Sequence, residues 1–289
     1  MRKEFAMIQT VGIIANFEKE KTAGALCALE QALLARGAEA LCAEQAGAPA
    51  YTGRMKTLPR DELIQKSDII IAVGGDGTII HAAKAAAIMG RPVLGINTGR
   101  VGFMAAVEQP DGEWLNRLFT GDYLIERRMM LEAETGGQRY FCLNDAVVAK
   151  GTLSRMIDID ISAGGRLLKS YRADGLIAAT PSGSTAYSMS AGGAIVDPAV
   201  DSILLTPICP YSLGERPIVL RPDIELSVSA AAPPGSKVFL TLDGEQAIEL
   251  PPGGTVNIRR ARDNYVSLIT FESDMFISRL KGKLTAKEK

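Results

Sequence analysis

The apolar positions along the chain fall into two regimes. From the N-terminus to about residue 120 they form short, nearly continuous runs, and Val11–Ala15, Glu39–Cys42, Asp68–Val73 and Pro92–Ile96 read as strands. The spacing of Ala25, Leu29, Leu33 and Leu34 predicts a helix after the first of these. Asp61–Lys66 reads as a short helix, and Ala-rich Ile79–Met89 as a longer one closed by Gly90. Strands that lack alternation are buried on both faces, and strands that alternate with helices build a parallel sheet covered on both sides. After about Ile125 the period changes to two. Met156–Ser162 alternates along its length, and further strand candidates are Tyr140–Val148, Leu176–Thr180, Pro217–Leu220, Glu225–Ser229, Val238–Leu242, Thr255–Ile258 and Val266–Phe271, with Gly and Pro clusters between many of them.

The expected architecture is an N-terminal Rossmann-like α/β domain over residues 1–125, followed by a mainly β, sandwich-like domain over residues 126–271. The tail, residues 272–289, carries Phe276, Leu280 and Leu284 at helical spacing and a basic end, and is expected to pack back on the first domain.

Composition narrows the chemistry. Lys plus Arg is 32 and Asp plus Glu is 33, a net charge of −1 in 289 residues. That balance argues against nucleic acid held by phosphate neutralisation and against a polybasic membrane surface. His81 is the single histidine, so no His-rich zinc site exists and any histidine base would have to be this one. Cys27, Cys42, Cys142 and Cys209 stand far apart and read as buried, reduced thiols of a cytoplasmic protein. The N-terminal residues Met1–Phe5 include an acid and do not resemble a signal peptide. The longest uncharged stretch, Gly175–Val196, contains Pro181 and many hydroxyls, so it is not expected to cross a membrane.

Glycine is concentrated locally: 13 of the 29 glycines lie within residues 74–102 and 164–193. The first cluster opens with Gly74-Gly75-Asp76-Gly77-Thr78, after a buried strand and before a helix, where α/β proteins bind ligands. Glycines allow a phosphate or ribose to approach the backbone, and helix N-terminal amides favour anionic oxygens. Neither the dinucleotide fingerprint nor the P-loop pattern is present. An Asp among glycines can accept a proton from a hydroxyl or hold Mg²⁺ beside a phosphate; its bland role would be a helix cap. A second turn, Leu94–Phe103, offers Asn97 and Thr98 to a sugar or phosphate, or is simply a glycine-dependent turn. The third segment, Arg172–Gly193, leads from a strand into closely spaced hydroxyls and glycines that suit a ligand rich in acceptors, with Tyr187 able to stack on a base.

Taken together, Gly74–Thr78, Leu94–Phe103, Asn144-Asp145, the block from Asp174 through Thr180-Pro181-Ser182-Gly183-Ser184-Thr185-Ala186-Tyr187 to Gly193, Pro207–Leu213 and Asp243-Gly244 resemble the NAD kinase family. The resemblance implies phosphoryl transfer from ATP or polyphosphate to the adenosine-ribose 2′-hydroxyl of NAD. It makes Asp76 the general base and Gly77 an adjoining NAD contact. It further implies NAD contacts from Asn144, Asp145, Arg155, Arg172, Asp174, Thr185, Ala186, Tyr187, Ser188, Met189, Ser190 and Gln246. The family usually has Glu where this chain has Asp145, and often Arg where it has His81, a candidate phosphate contact. Mg²⁺ or another divalent cation is implied as a companion of the donor, without a protein cage, together with a homodimeric or homotetrameric assembly. Two other readings remain open at this level: a lipid or sugar kinase sharing only the glycine–aspartate loop, and a non-catalytic dinucleotide sensor.

Overall fold

The four short apolar runs near the N-terminus, with the unforeseen segment Lys56–Leu58, form five parallel strands: β1 (Thr10–Ala15), β2 (Glu39–Ala43), β3 (Lys56–Leu58), β4 (Ile69–Gly74) and β5 (Val93–Asn97). Four helices intervene or follow: α1 (Glu20–Leu34), α2 (Arg60–Lys66), α3 (Asp76–Ile88) and α4 (Glu113–Phe119). The computed structural model describes residues 8–17, 20–44, 54–99, 102–108, 112–151 and 155–285. The N-terminal pentapeptide, Arg100 and Val101 of the second turn, and the last four residues of the tail lie outside these. The chain divides into two units, Met1–Arg127 with Val266–Lys289, and Arg128–Tyr265.

In the first unit the strand order is β3-β2-β1-β4-β5. Every residue of β4 and β5 is buried, as the unbroken apolar runs require of strands covered on both faces. The core joins Val11, Ile13, Ile71 and Leu94 to Leu26, Leu29 and Leu33 of α1 and to Trp114, Leu115 and Leu118 of α4. Leu34, expected in the helical stripe, is 51% exposed, because the buried face of α1 ends at Leu33. Helix α4 was not foreseen; at seven residues it is too short for its apolar spacing to establish a period.

The second unit is antiparallel and consists of two packed sheets. Its strands, of which β6 begins and β17 ends in residues of the first unit, are β6 (Leu124–Thr135), β7 (Gln138–Cys142), β8 (Asp145–Lys150), β9 (Ile157–Ala163), β10 (Arg166–Ala173), β11 (Gly175–Ala179), β12 (Ile203–Ile208), β13 (Ile218–Leu220), β14 (Leu226–Ala231), β15 (Val238–Leu242), β16 (Gln246–Leu250) and β17 (Thr255–Thr270). One sheet contains β10-β9-β14-β17 with β6 and β7, and the other runs β13-β12-β11-β8-β15-β16. Ile157, Ile159, Ile161, Val228 and Ile258 from one meet Val148, Leu176, Leu205 and Leu240 from the other in a single core. The expected strand Tyr140–Val148 is two strands broken at Leu143 and Asn144. The two expected strands at the C-terminal end are one, β17, whose polar middle hides its continuity. Arg259 and Arg260 there are paired with Glu132 and Asp201 at 2.7 and 3.4 Å.

A one-turn helix, α5 (Tyr187–Ser190), follows a 3₁₀ turn at Ser182–Thr185. The last helix, α6 (Met275–Thr285), belongs to the first unit, where the Phe276 ring lies 5.9 Å from that of Phe103. Two of the four cysteines, Cys27 and Cys209, are exposed, contrary to the expectation that all are buried. No helix of the described residues is long and apolar enough to cross a membrane.

Candidate active site

In the first unit β4 ends at Gly74, extended Gly75 takes the cap position, and Asp76 begins α3. The Asp76 side chain does not cap the helix. Its carboxylate accepts hydrogen bonds from the backbone amides of Phe103 at 2.9 Å and Met104 at 3.3 Å, in the turn after β5. Parallel pairing of β4 with β5 sets Gly74 beside Asn97, and the Thr98 amide donates to the Gly74 carbonyl at 3.1 Å. The two glycine-rich turns are therefore side by side. A Cβ at Gly102 would lie 1.9 Å from an Asp76 carboxylate oxygen, so only glycine there lets the backbone close around the carboxylate. Asp76 is half-buried and keeps acceptor capacity, since a carboxylate has about four lone-pair positions and two amides are bound. Asn97, read as either a ligand contact or part of a tight turn, is 7% exposed and exchanges hydrogen bonds with the Gly99 backbone at 3.0 and 3.2 Å. It holds its own turn. Gly77 and His81 are exposed on the same helix.

In the second unit the break between β7 and β8 is the organising feature. The Asp243 carboxylate accepts the three successive amides of Leu143, Asn144 and Asp145 at 3.0, 2.7 and 3.1 Å. Its own amide donates to the Asp145 carbonyl at 3.0 Å. Asp243 can do this because the β15–β16 hairpin turns at Asp243 and Gly244, both with positive φ (50° and 73°), a conformation that Asp and Gly tolerate. The Asp145 side chain is 4% exposed. Burial first, and the facing Asp243 charge second, push its carboxyl up to about 7.

The hydroxyl-rich segment meets the same break. Gly183 presses against Asn144, whose carbonyl oxygen would be 2.1 Å from any Cβ at that position. Thr180 Oγ1 donates to the Leu143 carbonyl at 2.5 Å and accepts from the Gly183 amide at 3.1 Å. Ser184 is bonded to Val196, and Ser188, fully buried, to Thr206 at 2.9 Å. Much of the hydroxyl cluster thus braces the loop itself. Thr185 and Ala186 are half-buried, and Tyr187, Met189 and Ser190 are exposed.

Asp174 lies at the other end of β11, ion-paired with Lys150 at 2.8 Å. The pairing of Ala179 with Asp145 and of Gly175 with Ala149 separates Asp174 from Asp145 by the length of the strand, roughly 16 Å at 3.3 Å per residue. Arg172 is exposed nearby on β10, and its carbonyl accepts the Tyr211 amide at 2.8 Å. Arg155 and Gln246 are also exposed, the first just before β9, the second across the hairpin from Leu242. Among the described residues no group of three or more His, Cys, Asp or Glu side chains is arranged to hold a metal ion.

Residues 11–123 match the model of the ATP-NAD kinase N-terminal domain, and residues 143–270 that of the ATP-NAD kinase C-terminal domain. The chain belongs to the NAD kinase family. With it comes the family's class of chemistry, phosphoryl transfer to an alcohol group. NAD kinase of Moorella thermoacetica is 38% identical over 282 residues, which cover 96% of this chain and 89% of that protein. NAD kinase of Symbiobacterium thermophilum is 45% identical over 223 residues, 74% of this chain and 78% of that one. An Archaeoglobus fulgidus NAD kinase solved in complex with ATP aligns at a TM-score of 0.77 and 26% identity, covering 97% of this chain and 100% of that chain. Yeast NADH kinase complexed with NADH aligns at 0.87, over 98% of this chain and 90% of that chain; at 24% identity this shows the fold alone.

Against these NAD kinase domains, the side chains absent from the sequence-based site are supporting ones. Asp243 and Thr180 lie in the motifs that carried the resemblance, but their grip on Leu143–Asp145 joins residues 100 and 37 positions apart, which no local spacing reveals. Arg128, 1% exposed, reaches the Ser182 hydroxyl at 3.3 Å from β6, a strand with no motif.

Proposed function

We propose that the chain phosphorylates the 2′-hydroxyl of the adenosine ribose of NAD, giving NADP, with ATP or inorganic polyphosphate as phosphoryl donor. The observation that carries this reading is the Asp76 carboxylate, held by two amides in a glycine-lined turn at the C-terminal edge of a parallel sheet. A ribose hydroxyl is a weak nucleophile, and a positioned carboxylate takes its proton as the bond to phosphorus forms. The electron pair of the O–H bond becomes the new P–O bond, and the donor's bridging oxygen leaves with its own pair. Alignment and charge neutralisation supply most of the rate in such transfers. A divalent cation carried on the donor phosphates would provide part of that neutralisation.

NAD is read as extended along the second unit. Asn144 and Asp145 engage the adenosine side, with the segment from Thr185 to Ser190 around it, while Asp174, Arg155, Arg172 and Gln246 make further contacts. The roughly 16 Å between Asp145 and Asp174 supports a ligand as long as a dinucleotide. His81 is read as a phosphate contact. The same reading includes a cytoplasmic homodimer or homotetramer that binds neither nucleic acid nor membrane.

Asp76→Asn tests the assignment. It keeps the shape and removes the base, so NAD affinity measured by calorimetry should stay within a few-fold while NADP formation falls by roughly 10²-fold or more. Near-normal turnover in this variant would remove Asp76 from the role of base.

A further inference from the structure

The last residue of β8 is a lysine with no part in the site described so far. The Lys150 ammonium meets the Asp174 carboxylate oxygen Oδ1 at 2.8 Å. The backbone holds the two residues together as well. The Lys150 amide donates to the Asp174 carbonyl at 3.0 Å, and the Asp174 amide donates to the Ile208 carbonyl at 2.9 Å. At 27% and 31% exposure the paired side chains are only partly hydrated, so their charges are screened less than those of a fully exposed pair. Lys150 takes one carboxylate oxygen, and the other retains acceptor capacity. Lys237, whose carbonyl accepts the Gly151 amide at 2.8 Å, turns its own ammonium to Glu249 at 2.8 Å. It does not compete for Asp174.

In the proposed reading the adenosine side of NAD lies at Asn144 and Asp145. Asp174 stands at the far end of β11, roughly 16 Å away at 3.3 Å per residue. The far end of NAD is its nicotinamide. The carboxamide N–H groups of that ring suit a carboxylate oxygen in either oxidation state. The ring itself is positively charged when oxidised and neutral when reduced. An unbalanced carboxylate beside it would attract the oxidised form through charge alone. A carboxylate with an ammonium at 2.8 Å loses most of that preference.

We infer that Lys150 is a positioning residue that sets specificity: by neutralising Asp174, it decides how strongly the site weighs the charge on the nicotinamide ring. It acts through Asp174 and needs no contact with the ligand. This inference rests on the NAD reading above, and adds to it the group that balances the oxidised against the reduced dinucleotide.

The test titrates NAD and NADH separately into the full chain and into Lys150→Met and Lys150→Arg, with calorimetry as the readout. Met keeps the length of the side chain and removes its charge, whereas Arg keeps the charge. The quantity read is the ratio of the two dissociation constants, which a general loss of packing would leave in place. Lys150→Met should move that ratio toward NAD by about fivefold or more, the scale of one partly screened charge. Lys150→Arg should keep the wild-type ratio. A ratio in Lys150→Met within about twofold of wild type overturns the inference, even if both ligands bind more weakly. So does an equal shift in Lys150→Arg. A wild-type chain that binds neither dinucleotide removes the NAD reading and this inference together. One that binds both, with a ratio unmoved by Lys150→Met, loses the inference and keeps the reading.

Discussion

Asp145 shows how much a single residue's surroundings decide. In the sequence it is a carboxylate one methylene shorter than the family's usual Glu; in the structure it is buried beside Asp243, with its carboxyl raised to about 7. An unfolded Asp titrates near 3.9. Below about pH 4 both states are protonated and the group costs nothing. As pH rises the unfolded chain releases this proton first, so stability falls until the folded carboxyl has also ionised, above about 7. Asp145→Asn stays neutral and escapes that cost. Its melting temperature should match wild type at pH 4 and exceed it at pH 8, where the difference approaches the order of a few kcal/mol. Melting curves that remain parallel across this range would contradict the burial of Asp145 beside a second charge. None of this was legible locally, since Asp243 stands 98 positions from Asp145 and reaches it through a hairpin turn.

At the scale of elements the sequence was most readable where both faces of a strand are buried. β1, β2, β4 and β5 start and end within a residue or so of their apolar runs, because a continuous apolar stretch has no other solution in a covered parallel sheet. Reading failed where tertiary contacts override local pattern. Tyr140–Val148 read as one strand, yet the Asp243 carboxylate takes the Leu143 and Asn144 amides that a continuous strand would have paired. β17 read as two strands because its polar middle residues find partners far away in the chain, Glu132 on β6 and Asp201 just before β12. The two glycine-rich turns were each visible, but not that one closes on the carboxylate of the other. Gly102→Ala probes that closure. The backbone at Gly102 does not need glycine's left-handed freedom, so its one defect is the collision with Asp76. It should lower kcat by about tenfold or more, the size of effect expected of a displaced catalytic group, while calorimetry finds NAD affinity close to wild type. Unchanged kcat would mean that the hold of this turn on Asp76 is immaterial to catalysis.

At the scale of the whole molecule, the change of hydrophobic period near residue 125 already separated an α/β half from a β half. The segment from Val266 returns to the first unit, a step that composition does not announce: Leu268 of β17 pairs with Val93 of β5. The family was legible from motifs because they are runs of glycine and hydroxyl residues whose backbone positions admit few substitutes. The choice of phosphoryl donor was not, since no motif of the sequence distinguishes a nucleoside triphosphate from polyphosphate. The most direct measurement is the reaction of the purified full chain with NAD, ATP and Mg²⁺, with the product identified by phosphorus NMR. The account predicts NADP carrying its new phosphate on the adenosine-ribose 2′-oxygen. Measurable NAD binding with no product from ATP or from polyphosphate would contradict it and leave a dinucleotide sensor.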